Sequence, residues 1–134
     1  MNDEQYQKGL EVRRQVMGDA YVDKALSNVT DFTQPLQALV TANCWGEVWV
    51  RDVISKQTRS LITIATLATL ATLAALKAPT ELKGHVRGAL RNGCSIEEIQ
   101  EVLLHSTVYC GMPSGIEAFR AAKEAIEEWQ LENS

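Results

Sequence analysis

The chain has 134 residues, 46% of them apolar, and carries a net charge of −4. That length suits one domain over 1–134 and can bury a core without disulfides or a metal. The acidic balance and the lack of any long basic block exclude nucleic acid and an anionic membrane surface as expected partners.

Residues 3 to 17 read as a first helix, with Tyr6, Leu10 and Met17 at helical spacing and Gly18 as its stop. Leu10 and Met17 are expected inside, and Arg13 and Arg14 in solvent. A short helix from about Asp19 to Ser27 follows, then a loop. Thr33 is positioned to cap a third helix with Pro35 in its first turn, where a missing N–H costs nothing. This helix is expected to run to about Val50, with Leu36, Leu39, Val40, Asn43, Glu47 and Val50 sharing one stripe. Trp45 and Trp49 fall on another face. A carboxylate in the apolar stripe would point inward, where it must be paired or protonated.

Arg51 and Asp52 begin a connection, and Ser55 can cap a fourth helix containing Arg59. From Ser60 to Leu76 the chain is uncharged, with leucine and threonine each recurring every three residues. A period of three drifts around a helix of 3.6 residues per turn, so no lasting polar face forms and burial in a core or in a subunit interface is expected. The threonine hydroxyls can return to carbonyls one turn back. The run falls short of a spanning helix and reads as a soluble, buried one.

Lys77-Ala78-Pro79 is expected to break that helix, Thr80 to cap the next, and Asn92-Gly93 to end it. Ser95 to Glu98 reads as a capping box, and Ser114 to Glu117 as a second. The last helix is expected to turn Ile116, Phe119, Ala122, Ile126 and Trp129 inward. No strand pattern occurs, so the fold class is all-α with six to seven helices.

Few residues offer chemistry. His85 has Glu81, Leu82, Gly88 and Ala89 as facing neighbours, and reads either as a hydrogen-bonded structural histidine or as a reactive group. His105 stands in one column with Glu101 and Tyr109; an exposed ladder and a proton relay are the alternatives. Glu47 is a general-acid candidate or an ion-pair partner. Arg51 and Arg59 can bind a carboxylate bidentately or pair with Glu47. No metal cluster, phosphate loop or nucleophile turn can be written, and the expected cofactor is none. Cys44, Cys94 and Cys110 form no C-x-x-C pair and read as free thiols in a reducing cytoplasm. The polar start of the chain has no apolar signal region.

The segments GLEVRRQVMGDAYVDKA, WGEVW, TRSLITIA, ELKGHVRGALRNG and EEIQEVLLHSTVYCGMPSGIEAFRAAKE follow one another along nearly the whole chain. Together they resemble the carboxymuconolactone decarboxylase family. The resemblance implies an alkylhydroperoxidase-D-like helical fold and a ring-shaped homo-oligomer, usually a hexamer. It implies cofactor-free decarboxylation of 4-carboxymuconolactone, a small dicarboxylate lactone, to the enol-lactone of 3-oxoadipate in protocatechuate breakdown. By resemblance His85 and Glu47 are the acid/base pair. Arg51, then Arg59, bind the substrate's carboxylates, with Trp45 and His105 lining its pocket. Alternatives are a non-catalytic, ligand-binding oligomer of the same fold and a thiol-dependent peroxidase-like redox protein. Peroxidase relatives carry C-x-x-C where this chain has Ala78 and Glu81, which excludes a disulfide cycle through that motif. The TLATLATLA run is longer than the family's segment by about one hexapeptide. Six extra helical residues add roughly 9 Å and change the facing of whatever follows.

Overall fold

The computed structural model describes residues 2–70 and 78–134. The described residues are all helical apart from turns and connections, in the order α1 (Asp3–Met17), α2 (Asp19–Ser27), α3 (Gln34–Leu39), a π-helix (Val40–Val48), α4 (Lys56–Leu70), α5 (Ala78–Arg91), α6 (Ile96–Cys110) and α7 (Met112–Glu132). They fall into two compact units, residues 1–56 and 57–134. None of the described helices is long and apolar enough to cross a membrane.

In the first unit, Asn2 caps α1 by accepting a hydrogen bond from the Glu4 amide, and Asp3 and Glu4 complement the helix dipole. Gly18, at φ 90°, closes α1 as expected and opens α2. Val16, Met17, Val22, Trp45 and Trp49 form the core of this unit. Two expectations fail here. Arg13 is not in solvent but 7% exposed, its Nη1 donating to Gln37 Oε1 at 2.8 Å and Thr41 Oγ1 at 3.3 Å. The stripe expected to carry Glu47 inward instead faces outward, with Leu36 and Leu39 62% and 53% exposed and Glu47 exposed. The cause is twofold. Arg13 turns Gln37 and Thr41 toward α1, which rotates their neighbours away. Beyond Leu39 the chain winds as a π-helix, so an α-helical spacing misplaces every later residue. Thr33 does stand at the cap position, but its hydroxyl bonds back to Thr30 rather than to the first turn.

The second unit packs Ile64, Leu82, Val86, Ile99, Leu103 and a row of alanines into one core. Full burial of each large side chain contributes about 1.5–3 kcal/mol. In α4 the buried column is Ser60, Ile64 and Ala68, while Ile62 is exposed, so the described part of this helix is not apolar-buried all round. Thr63 and Thr66 donate to the carbonyls of Arg59 and Ile62 one turn back, as expected. The extra hexapeptide and the break at Lys77 lie in part outside the described residues. Thr80 sits within α5 rather than capping it, and Pro79 occupies the helix's opening turn. Gly93, at φ 86°, ends the Asn92-Gly93 turn as expected, the Cys94 amide donating to the Ala89 carbonyl at 2.9 Å.

The Ser95–Glu98 capping box is present in both directions. The second box is not. α7 begins at Met112, and Ser114 is buried, donating at 2.7 Å to the Ala68 carbonyl of α4. The inner side of α7 is Ser114, Gly115, Ala118, Ala121, Ala122 and Ala125, with Ile116 turned out. Small residues face inward because α6 and α7 approach closely. A Cβ on Gly115 would lie 2.2 Å from Thr107 Oγ1.

Candidate active site

The sequence-derived site residues divide between the two units. Trp45 and Glu47 share the π-helix, and Arg51 follows its end, all in the first unit. Arg59 on α4, His85 on α5 and His105 on α6 belong to the second.

The π-helix is the local feature that orients the first group. Its turn closes through the Trp49 amide and the Cys44 carbonyl at 3.0 Å, an i to i−5 bond. Such windings are uncommon and recur at functional sites. Trp45 goes inward, 4% exposed, stacked on Trp49 with ring centroids 4.9 Å apart. Its indole is therefore part of the core of its unit. Glu47 goes outward, and its Oε2 accepts a 3.4 Å hydrogen bond from Gln5 Nε2, which also donates to the Ala42 carbonyl at 3.0 Å. Arg51 is exposed, its amide bonded to the Val48 carbonyl.

In the second unit α5 is held by charge on one side and by packing on the other. Lys83 reaches Glu124 and Glu128, and Arg87 reaches Glu128 and Glu132, tying α5 to α7. Leu82, Val86 and Ala89 are fully buried. His85 lies half-buried among them, and burial pushes its imidazole down to about 4. At neutral pH it is uncharged, with one ring nitrogen to donate and one to accept. Arg59 precedes Ser60, whose hydroxyl accepts a 2.8 Å hydrogen bond from Asn92 Nδ2 near the end of α5. This bond fixes the α4 and α5 segments that carry Arg59 and His85.

His105 is exposed and rests against Tyr109, ring centroids 4.9 Å apart, so the column read from the sequence is an exposed ladder. With Glu101, Thr58 and Ile62 it lines an apolar groove of about 410 Å³ between α4 and α6. No disulfide joins Cys44, Cys94 and Cys110. Burial pushes Cys44 and Cys94 up, against any thiolate at neutral pH.

Sequence reasoning missed Gln5 and Arg13. The available signal was the i, i+4 column Gln5-Gly9-Arg13, in which a mid-helix glycine marks close backbone approach.

A model of the carboxymuconolactone decarboxylase family matches residues 34–124. The chain belongs to this family. It is 40% identical over 129 residues to a 4-carboxymuconolactone decarboxylase of Acinetobacter baylyi, covering 96% of this chain and 92% of that relative. It is 42% identical over 123 residues to nitrosuccinic acid decarboxylase npaB of Metarhizium robertsii, covering 92% of this chain and 82% of that protein. A 4-carboxymuconolactone decarboxylase sequence of Pseudomonas putida is 39% identical over 44 residues, a third of this chain. Membership in a carboxymuconolactone decarboxylase family, with relatives named as decarboxylases across nearly the full length, gives the class of activity as a carboxy-lyase.

Proposed function

We propose that the chain decarboxylates 4-carboxymuconolactone to the enol-lactone of 3-oxoadipate, a step in aromatic catabolism. The observation that carries this reading is the 40% identity to a 4-carboxymuconolactone decarboxylase over 92% of that relative. The chemistry asks little of the protein. The bond from the ring to the departing carboxylate breaks and CO2 leaves. Its electron pair runs through the ring double bond onto the lactone carbonyl, and a proton then returns to carbon. The substrate is its own electron sink. What the protein must supply is anion binding, a hydrogen bond to the developing enolate and a proton.

In this reading the residues take those roles as follows. A neutral His85, its imidazole held near 4 by burial, is suited to donate to the enolate oxygen, which an uncharged donor stabilises without first giving up its own proton. Glu47 is assigned the proton return. Arg51, with Arg59 second, is assigned the substrate carboxylates, and His105 a place at the edge of the groove. The protein acts as a homo-oligomer in this reading, which is supported by exposed apolar side chains such as Phe32, Val53, Val108 and Met112.

The comparable identity to a nitrosuccinic acid decarboxylase favours a second reading of substrate within the same chemistry. A nitro group beside the departing carboxylate takes up the electron pair as a nitronate, as the lactone does as an enolate. Purified protein incubated separately with 4-carboxymuconolactone and nitrosuccinate, with CO2 release and ultraviolet change followed, tests both. Preferential turnover of the lactone is expected. Preferential turnover of nitrosuccinate replaces the first reading with the second, and turnover of neither at high protein concentration rejects both.

A further inference from the structure

A π-helix of nine residues needs an external reason to exist, because the same chain gains better-aligned bonds as an α-helix. In α winding, residues five apart lie about 140° from each other around the axis. In π winding, at roughly 4.4 residues per turn, they lie within about 50°. A contact that grips two residues five apart therefore favours π over α.

Helix α1 makes two such contacts. Gly9 lies against both Thr41 and Gly46, so closely that a Cβ on it would meet the Thr41 carbonyl oxygen at 2.0 Å and the Gly46 nitrogen at 2.7 Å. Gln5, one turn earlier, divides its amide donors between the Ala42 carbonyl and the Glu47 carboxylate. Both pairs, 41 with 46 and 42 with 47, are five apart. One turn after Gly9, Arg13 instead grips Gln37 and Thr41, four apart, across the junction from α3 into the π-helix. Along one column, α1 thus matches α spacing at Arg13 and π spacing at Gly9 and Gln5.

We propose that α1 is the template for the π register, and that Gln5, Gly9 and Arg13 are positioning residues that set the direction in which Glu47 leaves the helix. From Thr41 to Glu47, reversion to α would turn the carboxylate by roughly 100°. The catalytic part of this proposal rests on the reading of Glu47 as the proton donor; the register part does not.

The test uses the full chain with Trp129→Phe, which leaves Trp45 and Trp49 as its only tryptophans. Gly9→Ala and Gln5→Met are compared with this background by the exciton circular dichroism of the stacked pair and by kcat and KM. Gln5→Met keeps length and removes both donors, so it remains informative if Gly9→Ala does not fold. A changed exciton couplet is expected wherever the register slips. For Gln5→Met, kcat is expected to fall about tenfold with KM within about twofold, and no further fall when combined with Glu47→Gln. A couplet identical to the background in every variant that folds overturns the template. A full additive loss in the double variant overturns the link to Glu47. Wild-type kcat in Glu47→Gln alone removes the catalytic reading, while the couplet still decides the register.

Discussion

Asn92 donates a 2.8 Å hydrogen bond through Nδ2 to Oγ of Ser60, a side chain with no solvent exposure. The bond joins the end of α5 to the described part of α4 and helps fix the elements carrying His85 and Arg59. Ser60→Ala removes the acceptor and leaves a small void, which is expected to cost about 1–3 kcal/mol. Urea unfolding measures it. A midpoint unchanged from wild type would show that the bond contributes nothing.

Burial sets a pH dependence through His85. Its folded value of about 4 lies below the ordinary 6.5, so between these values the unfolded chain binds the extra proton. Stability from this group is complete above pH 6.5 and is lost as pH falls through that value toward 4, by a total of order 3 kcal/mol. His85→Gln is expected to flatten this part of the stability profile relative to wild type. Proton NMR of the imidazole provides the direct check, and a midpoint at or above 6 rejects the buried, neutral histidine.

His85→Ala and Glu47→Gln are each expected to lower kcat for decarboxylation by about 100-fold or more if they serve as hydrogen-bond donor and proton donor. Both are expected to fold, since Glu47 is exposed and His85 is only half-buried. Near-wild-type rates in both variants reject the assignment, whatever the substrate proves to be.

A redox role predicts the opposite dependence. Burial raises the Cys44 and Cys94 thiols above their ordinary value, and nucleophilic sulfur chemistry requires the thiolate. Replacing Cys44, Cys94 and Cys110 together with serine is expected to leave decarboxylation within about threefold of wild type, the residual effect coming from the buried Cys94 site. Loss of turnover in Cys44→Ser or Cys110→Ser alone would restore the thiol hypothesis.

Much of the helical pattern was legible because it depends on local signals. Gly18, the Ser95–Glu98 box and Gly93 act within a few residues of themselves, and the structure uses each as read. The errors came where one element dictates another's winding or register. Glu47 faces outward because Arg13 turns Gln37 and Thr41, not the Leu36 and Leu39 stripe, toward α1, and because the segment beyond Leu39 winds as a π-helix rather than with an α period. Ser114 looked like a cap because a capping box is a local motif, whereas its hydroxyl is used by a carbonyl 46 residues away. Arg13 looked solvated because charge usually is, yet its neutral partners Gln37 and Thr41 come from elements more than twenty residues distant. Of the candidate site, His85 was legible as a residue, while its neutrality follows from packing that no spacing reveals.

The α6–α7 crossing permits a test of packing by compensation. Thr107 donates to the Leu103 carbonyl at 2.7 Å, which anchors its side chain over Gly115. A methyl on Gly115 would meet Thr107 Oγ1, Cγ2 and Cβ at 2.2, 2.4 and 2.8 Å, so no simple rotation clears it. In an unobstructed helix interior, glycine to alanine gains about 1 kcal/mol. Here overpacking dominates, and Gly115→Ala is expected to destabilise by about 1–3 kcal/mol. Thr107→Ala removes Oγ1 and Cγ2, the two nearest obstructing atoms, and leaves only the Cβ contact, so the double variant is expected to be more stable than Gly115→Ala alone, with a coupling of at least about 1 kcal/mol in a double-mutant cycle. Additive effects would mean that the two residues do not share the contact that the close crossing requires.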